Sequence, residues 1–405
     1  MNGACTIVSP NYLAYARTVS ASYLVQHPDH RFFVLIVADL SLEDQKIFEG
    51  DGFTPVMLAE IGLEDLRGEG MKYDILELNT NVKPTFMKYL IEIFDLENLV
   101  YLDPDIFVYS PLTPVFDALS GGSIATLTPH LTTPVDDGKL PGEQEMLYNG
   151  TYNLGFIAVR RCEEAWRLLS WWERRCLDLG FSEGRTGLFV DQKWMNLAPG
   201  MFDKVEILRH PGCNMAYWNL HERTLSGHTG SYVVNGQTGL CFFHFSGIEL
   251  EDPEVLSKNT NRFTLADRPD LTRLFGDYKL AVLANKDAAR EVIPYGFDRL
   301  SDGTVVTRLA RRIYAKHQMR WSGQNPFDAE GEFAAFAKRL GLVAGKTAPG
   351  KATWKEFNPK DRRVEIVHRI LKMALRVLGP SRYELLMRYL AHIAVLRNQS
   401  VFLKD

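Results

Sequence analysis

Short apolar runs alternate with amphipathic stretches through the first two thirds of the chain. The apolar runs at residues 4–8 and 32–38 predict buried strands, and residues 11–27 between them have helical spacing with little Gly or Pro. A strand, a helix and a second strand in this order predict a parallel βαβ unit. The chain therefore opens as an α/β fold.

The same alternation continues to about residue 250. Helices are predicted at 42–50, 59–66, 83–96 and 163–179, the last with three tryptophans. Further strands are predicted at 54–58, 98–102, 106–109, 123–127, 153–160 and 240–245.

After residue 250 the pattern becomes mainly helical. The elements predicted there are a helix at 270–290, a hairpin or turn region at 293–306, a linker rich in Gly, Ala and Lys at 341–353, and a basic amphipathic helix at 361–399. Gly379-Pro380 breaks the last helix. We therefore predict a first domain over residues 1–265 and a mainly helical, basic C-terminal extension over residues 266–405.

Composition places the chain among ordinary globular proteins. Of its 405 residues, 46% are hydrophobic and 24% are charged. Its apolar runs fall short of the ~18 residues that a membrane-spanning helix needs. The N-terminus has no basic region before its first apolar run, so we expect no signal peptide and a cytoplasmic protein.

The cysteines are odd in number and widely spaced. They are Cys5, Cys162, Cys176, Cys213 and Cys241. We expect reduced thiols, as in a cytosolic protein, and no zinc site.

An Asp-x-Asp motif, Asp103-Pro104-Asp105, follows the predicted strand 98–102 and precedes another apolar run. Roughly one or two such tripeptides are expected by chance in a chain of this length, and a polar turn begun by Asp-Pro is the alternative. At the end of a buried strand, however, both carboxylates can face a cleft. Carboxylate oxygens suit Mn²⁺ or Mg²⁺, which can bridge them to phosphates. The context therefore predicts a divalent-metal site.

Four further motifs adjoin predicted strands or helices. They read Val-Ser-Pro-Asn-Tyr at 8–12, Tyr-Asn-Leu-Gly-Phe at 152–156, Phe-Val-Asp-Gln-Lys-Trp at 189–194, and Phe-Phe-His-Phe-Ser-Gly at 242–247. Together with the Asp-x-Asp motif, and in this order, they resemble the GT-A fold retaining glycosyltransferases, family 8 in particular. The resemblance covers about residues 4–250 and implies a Rossmann-like, nucleotide-sugar-binding GT-A domain.

The resemblance implies binding roles for the first of these motifs. Ser9, Asn11 and Tyr12 would hold uracil and ribose, although Ser9 and Pro10 replace the family's usual acidic pair. The alternative is that Ser9 or Asn11 caps the following helix, with Pro10 in its first turn.

The resemblance also implies a basic residue that contacts the donor diphosphate. Phe86 stands where the family often has Arg, so Lys83, in preference to Lys88, would take that role unless it is simply solvated. Past residue 247 the family often has a Lys, and Lys258 or Arg262 would replace it here.

The other motifs would hold the sugar and the metal. Asn153 would bind donor hydroxyls, and Gly155 would let a backbone approach the ligand closely. Asp191 and Gln192 would be the catalytic pair, the acid on sugar hydroxyls and the amide near the anomeric carbon. His244 would be the third metal ligand beside Asp103 and Asp105. The alternatives are a turn Asn, a capping Asp with an exposed Gln, and a satisfied core His.

The implied activity is metal-dependent transfer of a hexosyl-type sugar from a nucleoside-diphosphate sugar, by resemblance UDP-linked, to a glycan, glycolipid or other acceptor with retention. The commonest family setting is cell-surface polysaccharide synthesis. Three alternatives stay open: an inverting transferase on the same fold, a nucleotidyltransferase, and a non-catalytic sugar-binding protein. An inverting enzyme needs a carboxylate base, and the candidates are Asp136, Asp137, Glu143 and Glu145.

Charge is uneven along the chain. The net charge is −4, yet residues 306–405 carry 20 Lys and Arg against 8 Asp and Glu. The basic extension either lies on an anionic membrane surface, close to a lipid-linked acceptor, or packs as a helical subdomain or self-association element. We predict no nucleic-acid partner.

Overall fold

Strands and helices alternate through the first part of the computed structural model, which describes residues 1–252, 254–346 and 362–403. The strands are β1 (Asn2–Val8), β2 (Arg31–Ile36), β3 (Thr54–Met57), β4 (Asn98–Leu102), β5 (Ile106–Val108), β6 (Ala125–Pro129), β7 (Tyr152–Arg160), β8 (Ser182–Glu183), β9 (Leu188–Phe189), β10 (Val205–Ile207), β11 (Met215–Ala216), β12 (Leu225–His228), β13 (Ser231–Val234), β14 (Thr238–Gly239) and β15 (Phe242–His244). The helices are α1 (Leu13–Gln26), α2 (Leu66–Lys72), α3 (Ile75–Asn81), α4 (Lys83–Ile93), α5 (Thr113–Ser120), α6 (Glu143–Asn149), α7 (Glu163–Leu179), α8 (Ala198–Met201), α9 (Thr272–Ala284), α10 (Ala288–Glu291), α11 (Arg308–His317), α12 (Glu332–Arg339) and α13 (Arg362–Ile393).

The chain divides into two compact units. The first consists of residues 1–66 and 75–296, and the second consists of residues 67–74 with the chain from Phe297 onward. The predicted division at residue 265 differs from this one because α9 packs on α1 and so joins the first unit. Of the predicted linker, residues 347–353 lie outside the described residues.

A seven-stranded mixed sheet, in the order β10-β6-β7-β4-β1-β2-β3, forms the centre of the first unit. Only β7 runs antiparallel to its neighbours, β4 and β6. The central strands are buried along almost their whole length because the sheet is covered on both faces, which also explains why they are mainly apolar. The predicted α/β class is confirmed.

The topology brings the ends of several strands together. β1 and β4 are parallel neighbours, so the residues after Val8 and after Leu102 meet at one edge of the sheet. A smaller sheet in the order β11-β15-β5 adjoins that edge, and in it His244 pairs with Ile106, the residue directly after Asp105. This antiparallel pairing places His244 beside the Asp-x-Asp turn.

Most of the predicted elements of the first unit are confirmed. Residues 42–48, however, form a 3₁₀ helix, and the predicted helix at 59–66 gives way to a 3₁₀ turn over 58–60. Several short elements were not predicted, among them α3, α5 and α6. The apolar pattern of residues 75–81, which include Asn79 and Thr80, is too short and too polar to indicate a helix on its own.

Helices make up most of the second unit. Trp321 lies against Tyr314, Phe333 and Phe336 in an aromatic cluster between α11 and α12. In α13 the backbone turns at Gly379, which has φ 72°, so two helical segments meet there as Gly379-Pro380 predicts. Among the described residues, no helix is both long and apolar enough to span a bilayer.

Candidate functional site

Asp103, Asp105 and His244 converge at the edge of the central sheet. One ligand atom from each lies within 4.8 Å of the others. His244 Nε2 is 2.9 Å from Asp105 Oδ1 and 3.8 Å from Asp103 Oδ2. The three residues are separated by up to 141 positions along the chain, and strand pairing brings them together.

Backbone contacts hold the two aspartates in place. The Asp103 N–H donates to Gly155 O at 2.7 Å, and the Asp105 carbonyl accepts from Phe245 N at 2.8 Å. The Tyr101 hydroxyl donates to Asp103 Oδ1 at 2.7 Å. The turn is thus tied to β7 on one side and to the end of β15 on the other.

Asn153 determines which nitrogen of His244 faces the carboxylates. His244 Nδ1 is 3.1 Å from Asn153 Oδ1, and the same oxygen accepts from Asn214 Nδ2 at 3.0 Å. Because an amide oxygen only accepts, Nδ1 carries a proton and donates it, so Nε2 is the nitrogen that faces Asp105 and is available to a metal. Trp218 packs edge-on against the imidazole at 5.2 Å. Metal-binding histidines are oriented by this kind of outer contact.

Gly155 makes room for the His244 ring. A Cβ at position 155 would lie 2.3 Å from His244 Cε1 and 2.8 Å from Nδ1. The expectation that Gly155 admits a ligand to the backbone is therefore corrected, because the space beside it is filled by imidazole.

The electrostatics of His244 follow from the same neighbours. Burial lowers the pKa of His244, but the Asp105 and Asp103 carboxylates raise it by more, so the net shift is upward. A divalent cation would satisfy the carboxylates instead and take the Nε2 lone pair. Two carboxylates and one imidazole fit Mn²⁺ well, and Mg²⁺ less closely because it prefers oxygen ligands alone.

A cavity of about 350 Å³ opens beside the two aspartates. Asp103 and Asp105 line one part of it, and its other lining residues are Ile7, Val8, Ser9, Asn11, Tyr12, Ile75, Leu76, Asn79, Thr80, Tyr101 and Pro104. The buried Ser9 hydroxyl accepts a hydrogen bond from Asn79 Nδ2 at 2.9 Å. Tyr12 is half-exposed and stacks on Tyr15. The predicted residues Ser9, Asn11 and Tyr12 thus share one cavity with the Asp-x-Asp motif.

Lys83 and Asp191 form an ion pair that is almost completely buried. Lys83 Nζ donates to Asp191 Oδ2 at 2.6 Å and to Leu154 O at 2.7 Å, and it lies 4.1 Å from the centre of the Tyr101 ring. Burial raises the pKa of Asp191, and the Lys83 ammonium opposes that rise. These contacts occupy the ammonium on three sides, so the expected contact of Lys83 with a diphosphate does not fit this geometry. Lys88, the other candidate, pairs with Glu173.

Gln192 joins the end of α6 to β7 through its side-chain amide. Its Oε1 accepts from Leu154 N at 3.0 Å, and its Nε2 donates to Asn149 O at 3.1 Å. Gln192 is 8% exposed, so the alternative of an exposed Gln is excluded. The amide braces the strand that carries Asn153 and Gly155.

Lys258 is held beside the loop that directly follows His244 and Phe245. The Ser257 hydroxyl donates to Ser246 O, and the Lys258 N–H donates to Gly247 O at 3.0 Å, while the Lys258 side chain is exposed. Arg262, the other candidate, is 7% exposed and donates to Asp137 as well as to two backbone carbonyls. Lys258 is therefore the better placed of the two for an incoming anion.

Several residues that orient the site carried a weak signal in the sequence. Asn214 and Trp218 belong to a polar and aromatic stretch at residues 209–223, and Asn79 belongs to none of the motifs described above. His130 Nε2 lies 3.4 Å from Asn153 Nδ2, and burial lowers the pKa of His130 to about 4. These residues contact the site residues only in the folded chain, and local sequence patterns do not reveal such contacts.

No family model matches the chain. Among curated proteins it is similar to two from Bacillus subtilis (strain 168), both described as uncharacterized. The chain is 25% identical to YfnF over 273 residues, which are 67% of this chain and 89% of YfnF, and 25% identical to YfnD over 251 residues, which are 60% and 77%.

Similar solved structures include three sugar transferases. The galactosyltransferase LgtC, in complex with donor and acceptor sugar analogs, is 19% identical over 69% of this chain and 95% of its own, with a TM-score of 0.41. The glycosyltransferase GlyE of Streptococcus pneumoniae TIGR4 is 14% identical over 77% and 72%, with a TM-score of 0.40. Mouse xyloside xylosyltransferase 1 is 12% identical over 60% and 97%, with a TM-score of 0.37. At these sequence identities and TM-scores the similarity says nothing about the chemistry of the site, which depends on the site's own residues.

Proposed function

We propose that the protein is a metal-dependent GT-A glycosyltransferase that moves a hexosyl-type sugar from a nucleoside-diphosphate sugar to a saccharide or lipid-linked acceptor. The observation that carries this proposal is the convergence of Asp103, Asp105 and His244 at one part of a cavity that also contains Ser9 and Asn79. A diphosphate needs a cation to balance its charge, and a nucleobase needs hydrogen-bond donors and acceptors.

The two parts of the cavity suit the two ends of a nucleoside diphosphate. Ser9 Oγ and the Asn79 amide offer hydrogen-bond donors and acceptors to a base such as uracil. Tyr12 offers an aromatic face for the nucleoside, and Asn11 offers a polar group beside it. Asp103, Asp105 and His244 would hold Mn²⁺, which would neutralise the charge that grows on the leaving diphosphate.

The remaining residues have positioning roles in this proposal. Asn153 keeps the Nε2 of His244 toward the aspartates. Lys83 pairs with the buried Asp191 carboxylate, and Gln192 holds the strand on which Asn153 lies. Because Lys83 is buried and paired, the exposed side chain of Lys258 provides the positive charge that contacts the diphosphate.

Retention is favoured over inversion by the state of the candidate bases. The Asp137 carboxylate is held by Arg262, Glu145 accepts from Gly142 N, and Glu143 accepts from Val135 N. Asp136 is exposed, and none of the four is among the residues that line the cavity described above. An inverting enzyme would need one of them to leave its partner and reach the sugar.

The surface of α13 supports contact with an anionic membrane, which would bring the enzyme to a lipid-linked acceptor on the cytoplasmic face. Residues 362–393 carry seven Lys and Arg against two Asp and Glu. Several of its large apolar side chains are exposed, among them Ile370, Met373, Val377 and Leu385. Basic and apolar groups on one helix suit the boundary between headgroups and acyl chains.

A nucleotide-sugar panel with Mn²⁺ tests the proposal. Release of nucleoside diphosphate is expected for at least one donor, and Asp105→Ala should lower kcat/KM at least 100-fold, while the exposed Asp117→Ala should leave it unchanged. Release of pyrophosphate would identify a nucleotidyltransferase, and donor binding without turnover would identify a sugar-binding protein. Equal turnover by Asp105→Ala and the unchanged enzyme would refute the proposal.

A further inference from the structure

A second group of side chains that could hold a metal ion lies just before the starts of β11 and β15. It consists of His210, Cys213 and Cys241, whose ligand atoms also lie within 4.8 Å of one another. Cys213 and Cys241 are buried, and His210 is partly exposed. Both cysteines are free thiols.

The backbone around this cluster is closely organised. The Cys213 N–H donates to His210 O at 3.0 Å in a tight turn, and the Gly212 carbonyl accepts from both Cys241 N and Phe242 N. A Cβ on Gly212 would lie 2.0 Å from Gly239 O, so only glycine lets the two segments approach this closely. The ligand atoms are thus held together by the main chain as well as by side-chain packing.

The distance between His210 and Cys213 suits a tetrahedral ion. Cys213 Sγ is 3.6 Å from His210 Nδ1. With Zn–S of ~2.3 Å and Zn–N of ~2.05 Å, the edge of a tetrahedron that joins the two atoms is about 3.6 Å. The structure therefore already holds this pair at the separation that a bound zinc ion would impose.

We propose that His210, Cys213 and Cys241 form a second metal site, which binds Zn²⁺ and is chemically separate from the Asp103–Asp105–His244 site. Two thiolates and an imidazole select a soft or borderline ion such as Zn²⁺, whereas two carboxylates and an imidazole favour Mn²⁺. Three protein ligands leave the fourth position to solvent or to a small thiol. The sequence expectation of no zinc site is thereby revised, because Cys213 and Cys241 are 28 positions apart and only the fold makes them neighbours.

The location of the ion gives it a structural consequence. Cys213 directly precedes Asn214, which donates to Asn153, and Cys241 directly precedes β15, which ends at His244. An ion bound to both cysteines would tie together the starts of the two segments that orient the candidate metal ligand His244. We expect zinc removal to loosen that orientation without removing any residue from the nucleotide cavity.

Cobalt substitution of the full-length protein tests the proposal. Reduced protein titrated with Co²⁺ should develop a thiolate-to-cobalt charge-transfer band at one equivalent, and Zn²⁺ should abolish it. Cys213→Ser and Cys241→Ser should lose the band, and His210→Ala should weaken Co²⁺ affinity at least 10-fold. Cys162→Ser and Asp105→Ala are the matched controls, and both should retain the band, which separates this site from the proposed catalytic one.

Two results would overturn the proposal. One is folded, reduced protein that binds Co²⁺ without a thiolate band, or with a band that persists in Cys213→Ser. The other is a Cys213–Cys241 disulfide that forms quantitatively during purification without reductant even when Zn²⁺ is present, as seen by peptide mass spectrometry. If the serine variants fail to fold by circular dichroism, the partly exposed His210→Ala variant still decides the question.

Discussion

Gly155 lies against His244 so closely that any side chain at position 155 would displace the imidazole. A Cβ there would come within 2.3 Å of His244 Cε1 and 2.8 Å of Asn153 Oδ1. His244, the proposed metal ligand on β15, can thus take its position only because residue 155 on β7 has no side chain.

Gly155→Ala is expected to weaken Mn²⁺ binding at least 10-fold and to lower turnover by a similar factor. The added methyl group would push the ring away from Asp105 while leaving both carboxylates in place. Mn²⁺ titration by electron paramagnetic resonance measures the affinity directly. Gly276→Ala in α9 is the control, since a Cβ there meets nothing within 4 Å. Unchanged Mn²⁺ affinity in Gly155→Ala would contradict the role of His244 as a ligand.

Asn153→Ala should weaken Mn²⁺ binding by about 10- to 100-fold, the usual cost of removing a group that orients a metal ligand. Asn153 and His244 are joined by one hydrogen bond, so the effects of Asn153→Ala and His244→Ala on Mn²⁺ affinity should be strongly non-additive in a double-mutant cycle. If Asn153 instead binds donor hydroxyls, the variant would raise the donor KM with no change in Mn²⁺ affinity.

Lys83→Met should destabilise the fold by about 3–5 kcal/mol, because it leaves the Asp191 carboxylate buried without its partner. Urea unfolding measures this loss. The double variant Lys83→Met/Asp191→Leu should recover most of it, since both charges are then absent. A Lys83→Met protein that unfolds like the unchanged protein but shows a raised donor KM would restore Lys83 as the diphosphate contact.

Stability should fall as the pH is lowered from about 6.5 toward about 4, partly through His27. Burial and the adjacent His30 lower the pKa of His27 in the folded protein to about 4. Between that value and the ordinary histidine pKa of ~6.5, the unfolded chain binds a proton that the folded chain excludes, so acid favours unfolding.

Urea unfolding at pH 7 and pH 5 measures the effect of His27. In His27→Gln, a side-chain carbonyl can still accept the Leu112 N–H but does not titrate, so the loss between the two pH values should be smaller. An identical loss in both proteins would show that other groups account for the acid sensitivity.

Binding to anionic vesicles should depend on the basic face of α13. Lys372→Glu/Arg376→Glu should lower the bound fraction at least 5-fold in co-sedimentation with phosphatidylserine vesicles, and added salt should have the same direction of effect. The exposed pair Lys46→Glu/Arg174→Glu makes the same charge change elsewhere and should bind normally. Equal loss in both variants would point to net charge rather than to α13.

Much of the fold could be predicted from local patterns. The strands β1, β2, β4 and β7 are mainly apolar because both faces of the sheet are covered, and α7 has the periodicity of a half-buried helix. The short helix α3 escaped prediction because seven residues with mixed polarity carry too little periodic signal. The boundary after residue 296 also escaped, since it depends on how α9 packs.

The sequence by itself determined the α/β class, the Asp103-Pro104-Asp105 turn after a buried strand, and the residue types available for a metal and a nucleotide. These depend on neighbours along the chain. The tertiary structure decided that Nε2 of His244 faces Asp105 and that Lys83 forms an ion pair with Asp191. It also decided that the space beside Gly155 is filled by the His244 ring and not by a ligand. It also brought Cys213 and Cys241 together. Such relationships depend on strand pairing and burial between residues far apart in sequence, and no local pattern encodes the distance between them.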